Sequence, residues 1–354
     1  MRFIVGLALI AAGAVLLWWW LGKPGLWLRD RMAWVRFVTP SDGAVVQWRG
    51  SETQNVRIDG ATGWFACDLH ISATRANSSI AGKGEWQPVE SKLGRFSAET
   101  TLATGWNRIT VRGRWWDHRF ADSVRVALGD VFIVAGQSNA VGYAEEFFSA
   151  ASDDVRAGRL GEDGAISWRC ADDPQSPQGK GSPWPKVGDE YRSKTQLPVG
   201  FINIAENGSS IESWMPGGSL FRRLEDVLRA TGPANVRAIL WAQGEADSGM
   251  SADRYAQCLE TIIRSANELT KSSSSVPWVV ATSSYVCGAA VRNVRQGQEQ
   301  VVASGLALRG PDTDALGPLH RQADGVHFNA GGTRALASLW ADALKRHFTA
   351  ERSE

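Results

Sequence analysis

The sequence predicts an α/β protein: a three-layer domain with a mostly parallel sheet, preceded by a small β-sandwich and an N-terminal transmembrane helix. Three observations support this fold class. Residues 3–22 carry no charge, short runs between residues 44 and 127 alternate as β-strands do, and buried-strand patterns alternate with helical ones after Gly129. The expected organisation is an anchor or signal segment (1–23), a connector (24–37), a β-sandwich domain (38–128) and an α/β domain (129–349).

The first segment, Phe3–Gly22, has the length and composition of a membrane-spanning helix. An apolar stretch of about 20 residues is enough to cross a bilayer, and Trp18, Trp19 and Trp20 lie where an aromatic belt would meet the lipid surface. A cleaved signal peptide is the alternative. The length of the apolar run and the lack of a small-residue cleavage site favour an uncleaved anchor. Positive charges on both sides of the run leave its orientation open.

The β-sandwich domain is predicted from short strands separated by turn residues such as Ser41-Asp-Gly43. In the run 64–71, Phe65, Cys67, Leu69 and Ile71 would face one side of a sheet and the intervening residues the other. Short, closely spaced strands of this kind are typical of an antiparallel sandwich. The predicted strands are Ala44–Trp48, Asn55–Ile58, Trp64–Ile71, Gly94–Ala98, Asn107–Arg112 and Ser123–Ala127.

The α/β domain opens with Val131–Ala135, a continuous apolar run of the kind that is buried on both faces of a parallel sheet. Asn329 is placed to cap the last predicted helix. The further predicted strands are Pro198–Ala205, Asn235–Ala242 and Pro277–Thr282, the predicted helices are Ala252–Leu269 and Ala330–His347, and residues 171–186 are predicted to form a loop at the rim of the sheet.

Composition excludes several classes of function. A formal net charge of +1 gives no bulk attraction for nucleic acid, so no nucleic-acid partner is expected. The four cysteines are too irregularly spaced for a zinc site, the histidines are scattered, and no metal or cofactor is implied. Two disulfides are possible if the protein is exported. Cys258, however, shares an apolar helix face with Leu259 and Ile262 and is expected to be a buried thiol.

Polar groups follow three of the predicted strands and precede the last helix. They are Gln137-Ser138, Glu206-Asn-Gly-Ser-Ser-Ile-Glu-Ser-Trp214, Gln243-Gly-Glu-Ala-Asp247 and Asp324-Gly-Val-His327. Because parallel strands end at the same edge of a sheet, we expect the four groups to gather there.

The gathered residues supply what acyl transfer requires. Ser138 is the candidate nucleophile and His327 the candidate general base, with His320 as a competitor in the same segment. Asp324 is the candidate for the acid that orients the base, and Glu245 is the alternative.

The same edge offers candidates for stabilising the reaction and holding a substrate. The oxyanion of a tetrahedral intermediate would be bound by the backbone N–H groups of Ser138 and Gly208 and by the side-chain amide of Gln243. Candidate substrate contacts at the rim of the cleft are Asn207, Trp184 and Trp214.

The order of these motifs resembles that of the sialate O-acetylesterase group of the SGNH (GDSL-type) hydrolases, which includes acetylxylan esterases. The resemblance spans roughly Asp130–Arg346 and rests on Gly-Gln-Ser-Asn, Asn-Gly-Ser-Ser-Ile-x-x-Trp, Trp-Ala-Gln-Gly-Glu-x-Asp and Asp-Gly-Val-His-Phe. It implies an SGNH-hydrolase fold, an immunoglobulin-like β-domain before it, and the site roles given above. Two departures stand out: Gln243–Asp247 replaces the usual Gly-x-Asn-Asp, and Glu206-Asn207 stands where relatives often have a glycine pair.

The expected activity is that of a serine esterase that removes O-acetyl groups from a sialic acid-like, xylan-like or other acetylated carbohydrate. One alternative is a membrane-tethered carbohydrate O-acetyltransferase, which a single predicted membrane segment disfavours. Another is a non-catalytic glycan-binding protein, which the intact set of Ser138, Asp324 and His327 disfavours. A glycan substrate favours an extracytoplasmic catalytic domain, held at the membrane by the N-terminal segment or secreted if that segment is cleaved.

Overall fold

The computed structural model describes residues 33–64, 66–76, 85–115, 118–269 and 275–349. The predicted membrane segment 3–22 and most of the connector lie outside the described residues. Within the described ranges, no helix is long and apolar enough to cross a membrane. The chain forms two compact units: the described residues up to Pro40 with Asn55–Leu102 and Asn107–Arg125, and Ser41–Gln54 with Ala103–Trp106 and Val126–Glu354.

The first unit is built from β-strands, as the alternating pattern predicted. One sheet has the order β1-β3-β7-β6, and in the other β4 pairs with β5 and β8. The pairs β1/β3, β6/β7, β4/β5 and β4/β8 run antiparallel. Buried apolar side chains such as Ile58, Leu69, Phe96 and Val111 form the interior. The strands up to β8 are β1 (Val35–Thr39), β2 (Ala44–Gln47), β3 (Thr53–Thr62), β4 (Cys67–Arg75), β5 (Gln87–Val89), β6 (Ser91–Lys92), β7 (Arg95–Ala103) and β8 (Gly105–Trp115).

The structure divides the chain differently from the predicted boundary at residue 128. The next strand, β9 (His118–Gly136), is one continuous 19-residue strand where the sequence predicted two. Strand β2 belongs to the second unit because it pairs in parallel with the later part of β9, from Ala44↔Val126 to Gln47↔Gly129. Gly129 does not break the strand. It permits close contact, since a Cβ there would lie 2.0 Å from the carbonyl oxygen of Pro198.

The second unit contains one large sheet with the strand order β11-β10-β12-β9-β13-β14-β15. Neighbouring strands in this order pair in parallel, except β10 and β11, which run antiparallel, so the sheet that was predicted to be mostly parallel is mixed. Its further strands are β10 (Val155–Leu160), β11 (Ile166–Cys170), β12 (Val199–Asn203), β13 (Ala238–Ala242), β14 (Trp278–Thr282) and β15 (Leu308–Asp312).

Helices cover both faces of this sheet. The helices are α1 (Ser138–Val141), α2 (Trp184–Thr195), α3 (Ser219–Thr231), α4 (Ala252–Glu268), α5 (Arg292–Ala303) and α6 (Ala330–Phe348). Val131, Ile133 and Ala135 pack into the core below α3, α4 and α5, whereas Phe132 and Val134 pack into the core below α2 and α6. This explains the uninterrupted apolar run, because both faces of β9 are buried. The predicted three layers are therefore confirmed.

All four cysteines are free thiols, so neither possible disulfide forms. Cys258 lies buried on α4 within the core, as its helical pattern predicted.

Candidate active site

The serine turn is shaped by the close packing of β9 against β13. Gly136 has a φ of +135°, and a Cβ there would lie 2.0 Å from the carbonyl oxygen of Ala242. The chain then turns sharply into the short helix α1, which begins at Ser138. Ser138 lies at the carboxyl edge of the sheet and is only 5% exposed.

Two hydrogen bonds join Ser138, His327 and Asp324 in a line. The Oγ of Ser138 lies 2.8 Å from Nε2 of His327, and Nδ1 of the same ring lies 2.7 Å from Oδ2 of Asp324. The structure thus brings together the three residues that the sequence singled out. The competing base His320 lies on a neighbouring 3-10 turn, Pro318–His320. Its imidazole forms no hydrogen bond with any of the described residues.

Asp324 is held as a carboxylate by the loop that it closes. Its Oδ1 accepts the backbone N–H groups of Val326 and His327 at 2.8 and 2.9 Å. Burial raises the pKa of Asp324, but the hydrogen bonds from the His327 ring and from these two amides outweigh burial, so the pKa lies below its usual range. The acid therefore stays ionised where a histidine needs an acceptor for Nδ1–H.

The ring of His327 is also fixed from its face. Tyr143 stacks on it with ring centroids 4.0 Å apart and an interplanar angle of 23°. The ammonium of Lys180 lies 4.8 Å from the centroid of the Tyr143 ring. Gln322 donates to the carbonyl oxygen of Tyr143 at 2.8 Å, which ties this aromatic residue to the loop of the histidine.

Glu245 lies elsewhere in the site and does not contact His327. Its Oε1 accepts hydrogen bonds from Nδ2 of Asn139 at 2.7 Å and from the hydroxyl of Ser283 at 3.0 Å. Asn139 in turn donates to the carbonyl oxygen of Val326, and its Oδ1 accepts the N–H of Phe328. Glu245 thus supports a side chain that connects the serine turn to the histidine loop. Complete burial raises the pKa of Glu245.

The prediction that the Gln243 amide faces the substrate is wrong. Gln243 is fully buried, and its Nε2 lies within hydrogen-bonding distance of Oε1 of Gln137, the carbonyl oxygen of Ser209 and the carboxylate of Asp247. Its Oε1 accepts the hydroxyl of Tyr255 at 2.9 Å. With both ends of the amide bonded inside the protein, Gln243 holds the serine turn and the 206–214 loop together and presents no donor to a substrate.

The two tryptophans predicted at the rim of the cleft are core residues. Trp184 and Trp214 are both fully buried. Trp184 donates to the carbonyl oxygen of Ala140 at 2.6 Å, and Trp214 donates to the hydroxyl of Ser209 at 3.0 Å. Because both rings are buried, neither can contact a sugar. The prediction failed because a sequence pattern does not distinguish a large buried aromatic residue from one that lines a cleft.

The segment that follows β12 remains accessible. Gly208 is exposed, has a φ of +65°, and has open space where a Cβ would be. Asn207 donates to the carbonyl oxygen of Gln178 at 3.2 Å, which connects this segment to the loop before α2. Glu206, which stands where relatives often have glycine, forms an ion pair with Arg223 at 2.9 Å.

Sequence reasoning missed three supporting residues. Asn139 belongs to the Gly-Gln-Ser-Asn motif, but the motif does not indicate that its side chain connects the serine turn to the histidine loop. Tyr143 carries no local signal, since only the fold brings it to His327. Gln137 is the third: its Oε1 lies 3.1 Å from the N–H groups of Gly244 and Ala246 and 3.2 Å from the Gln243 amide, which leaves its Nε2 without an acceptor among the described residues.

Comparison with known proteins identifies the family of the α/β domain. The model of the family described as "Carbohydrate esterase, sialic acid-specific acetylesterase" matches residues 128–346. The chain is similar to a carbohydrate acetylesterase from Xanthomonas citri, with a TM-score of 0.59, 18% identity, and coverage of 88% of this chain and 75% of that one. It is also similar to an Arabidopsis thaliana protein, with a TM-score of 0.50, 18% identity, and coverage of 62% and 99%. At these identities the structural likeness shows the fold alone. No curated protein sequence matches the chain.

Proposed function

Because the chain belongs to the sialic acid-specific acetylesterase family of carbohydrate esterases, within the SGNH hydrolases, and is therefore a carboxylic ester hydrolase, we propose that it removes O-acetyl groups from a glycan through Ser138, His327 and Asp324. The observation that carries this proposal is the pair of hydrogen bonds that runs from Asp324 through the His327 ring to the Ser138 hydroxyl. This is the arrangement in which a carboxylate, an imidazole and a hydroxyl perform acyl transfer.

The proposed reaction has two halves. Oγ of Ser138 bonds to the acetyl carbonyl carbon while Nε2 of His327 takes the hydroxyl proton. The tetrahedral intermediate then collapses, the bond to the sugar oxygen breaks, and the sugar leaves with the proton from Nε2. Water attacks the acetyl-Ser138 ester, again giving a proton to Nε2, and acetate departs as Ser138 recovers its hydrogen. Asp324 stabilises the imidazolium in both halves.

We assign the oxyanion to three donors around the serine turn. The backbone N–H groups of Ser138 and Gly208 have no intramolecular acceptor among the hydrogen bonds of the described residues, so both are available. The third is Nε2 of Gln137, in place of the Gln243 amide. Three donors fix Oε1 of Gln137, so its Nε2 is left available to donate. Preorganised donors of this kind stabilise charge that develops in the transition state.

For the N-terminal part, we propose that residues 3–22 anchor the chain as a single membrane helix, with the catalytic domain extracytoplasmic and the first β-unit an immunoglobulin-like sandwich. The support is the uncharged length of the segment and the proposed glycan substrate. Carbonate extraction and sequencing of the mature N-terminus test the anchor. A mature chain that begins near Lys23 would replace it with a cleaved signal peptide.

The activity is tested by acetate release from purified protein incubated with acetylated xylan, an O-acetylated sialoside and a chromogenic acetate ester. We expect release from at least one glycan, and no release above background with Ser138→Ala. A free acceptor sugar is added in a parallel reaction. Acetate that appears on the acceptor instead of in solution would indicate a transferase, and binding to the glycans without any turnover would indicate a non-catalytic protein.

A further inference from the structure

One end of the first unit exposes two large apolar side chains on neighbouring turns. Trp64 lies between β3 and β4, and Leu93 lies between β6 and β7; each is 86% exposed. The two turns are connected, because the N–H of Thr62 donates to the carbonyl oxygen of Gly94 at 2.9 Å. Single exposed apolar residues are common on protein surfaces, but two large ones on connected turns suggest an interaction site.

Leu93 occupies its position against local preference. Its φ is +53° and that of Gly94 is +73°, so both turn residues have the left-handed conformation that a tight hairpin of this type requires. Asn-Gly is the favoured pair in such a turn, whereas a branched leucine is strained there. A strained leucine that is 86% exposed gains little from burial within the unit, and this points to contact with something outside it.

The same end is basic. Exposed cations surround Trp64 and Leu93, and we define the basic tip as these two residues together with Arg36, Lys92, Arg95, Arg114 and Arg119. The register places them at one end, since Lys92 pairs with Arg95 and Cys67, at the start of β4, pairs with Arg114. The nearby carboxylates are Asp68, which forms an ion pair with Arg114, Glu90, and Asp122, which accepts the N–H of Phe37 beside Arg36. The balance of these charges is positive.

The chain also enters the unit at this end. The carbonyl oxygen of Trp34, beside the first strand, accepts the N–H of Gly63 at 2.8 Å, so the entering chain lies next to the turn of Trp64. The uncharged run 3–22 ends a short connector upstream. Residues 23–33, even fully extended at about 3.5 Å each, cannot separate the two by more than about 40 Å.

We propose that the basic tip docks on the surface of an anionic phospholipid bilayer, with Trp64 and Leu93 among the headgroups and the cations against lipid phosphates. Indole and leucine side chains on loop tips partition into the interfacial layer, and cations near an anionic leaflet add electrostatic attraction. The adjacent apolar segment favours a bilayer over an acidic polysaccharide, the other polyanion that these arginines could bind. The proposal does not depend on the esterase activity, but it rests on the proposed membrane anchor, which carbonate extraction tests separately.

The test uses the full-length chain reconstituted with vesicles, in a background where Cys67, Cys170 and Cys287 are serine. An environment-sensitive bimane label is placed at Leu93→Cys or, as a matched control, at Arg75→Cys, which is exposed at the opposite end of β4. In phosphatidylcholine–phosphatidylglycerol vesicles that contain doxyl-labelled lipid, we expect strong quenching and a blue shift at position 93, and neither at position 75.

Three results would overturn the proposal. The first is the absence of quenching at position 93, and the second is equal quenching at both positions. The third is a spectral shift at position 93 with soluble polygalacturonate but not with anionic vesicles, which would assign the tip to a glycan. The double change Lys92→Glu and Arg95→Glu is expected to reduce quenching in anionic vesicles only; an unchanged signal would remove the electrostatic part of the account.

Discussion

Replacing Asp324 with asparagine isolates the role of the acid that orients His327. Oδ1 of Asp324 accepts two backbone N–H groups, and Oδ2 faces Nδ1 of the ring at 2.7 Å. Asparagine has one carbonyl oxygen, and the two backbone donors hold it in the Oδ1 position. Its NH₂ group then faces Nδ1, which must present a lone pair, so the ring proton moves to Nε2. A protonated Nε2 in a neutral ring cannot accept the hydrogen of Ser138.

The expected loss is large in turnover and small in stability. The wrong tautomer of a catalytic histidine costs up to about 10⁴ in kcat, or roughly 5.4 kcal/mol of activation free energy. The Asp324 side chain is 43% exposed and the backbone hydrogen bonds are kept, so we expect the free energy of unfolding to fall by no more than about 1 kcal/mol. The assay is single-turnover acetate release, with thermal unfolding measured on the same sample.

Glu245→Gln is the matched control for that experiment. Glutamine keeps the Oε1 acceptor that Asn139 and Ser283 use, so kcat should stay within about tenfold of the wild type. Near-normal turnover of Asp324→Asn together with an inactive Glu245→Gln would refute the assignment of the acid. Loss of activity in Asp324→Asn that is accompanied by unfolding would also refute the reasoning, because the turn would then depend on the charge.

Three further predictions concern the buried polar groups. Gln243→Leu should lower the free energy of unfolding by roughly 3 kcal/mol, since Ser209 and other buried partners lose a donor. If stability is unchanged and kcat falls by about 10²–10³, roughly the effect of a lost oxyanion donor, Gln243 would be an oxyanion donor after all. The pKa of Glu245 is raised in the fold, so its contribution to stability is present below the unfolded pKa and is lost as pH rises through the folded pKa. Denaturation of Glu245→Gln from pH 4 to 9 should show a smaller fall with pH than the wild type, and parallel curves would contradict this. Gln137→Glu keeps the Oε1 acceptor but removes the Nε2 donor, and we expect kcat to fall about 10²–10³ with KM little changed; a change in KM alone would make Gln137 a substrate contact.

The sequence allowed the main elements of the α/β domain to be predicted because periodicity reports burial directly. The predicted helices 252–269 and 330–347 are observed as α4 and α6, and the apolar run 131–135 lies buried inside β9. Strands β10, β11 and β15 were missed. Their sequences mix arginine, glycine and proline with apolar residues, as strands near the edges of a sheet do, and give no clean period.

The candidate site was predictable where topology alone decides the outcome. Parallel strands end at one edge, so the serine turn and the segment before α6 were expected to meet, and the structure brings Ser138 to His327. The orientation of Gln243 was not predictable, since it depends on Tyr255, a residue of α4 whose hydroxyl fills the acceptor end of the amide. The burial of Trp184 likewise depends on its packing against Trp340 of α6, a contact that the sequence around Trp184 does not indicate.

The central claim, an acetyl group carried on Ser138, is most directly tested by trapping that intermediate. Wild-type protein and Ser138→Ala are mixed with a chromogenic acetate ester, quenched with acid during the first turnover, digested with protease and analysed by mass spectrometry. We predict a mass increase of one acetyl group on the peptide that contains Ser138, at the amplitude of the chromophore burst, and no such peptide in the variant. A burst without an acetylated peptide, or acetyl groups on another residue at the same amplitude, would contradict the account.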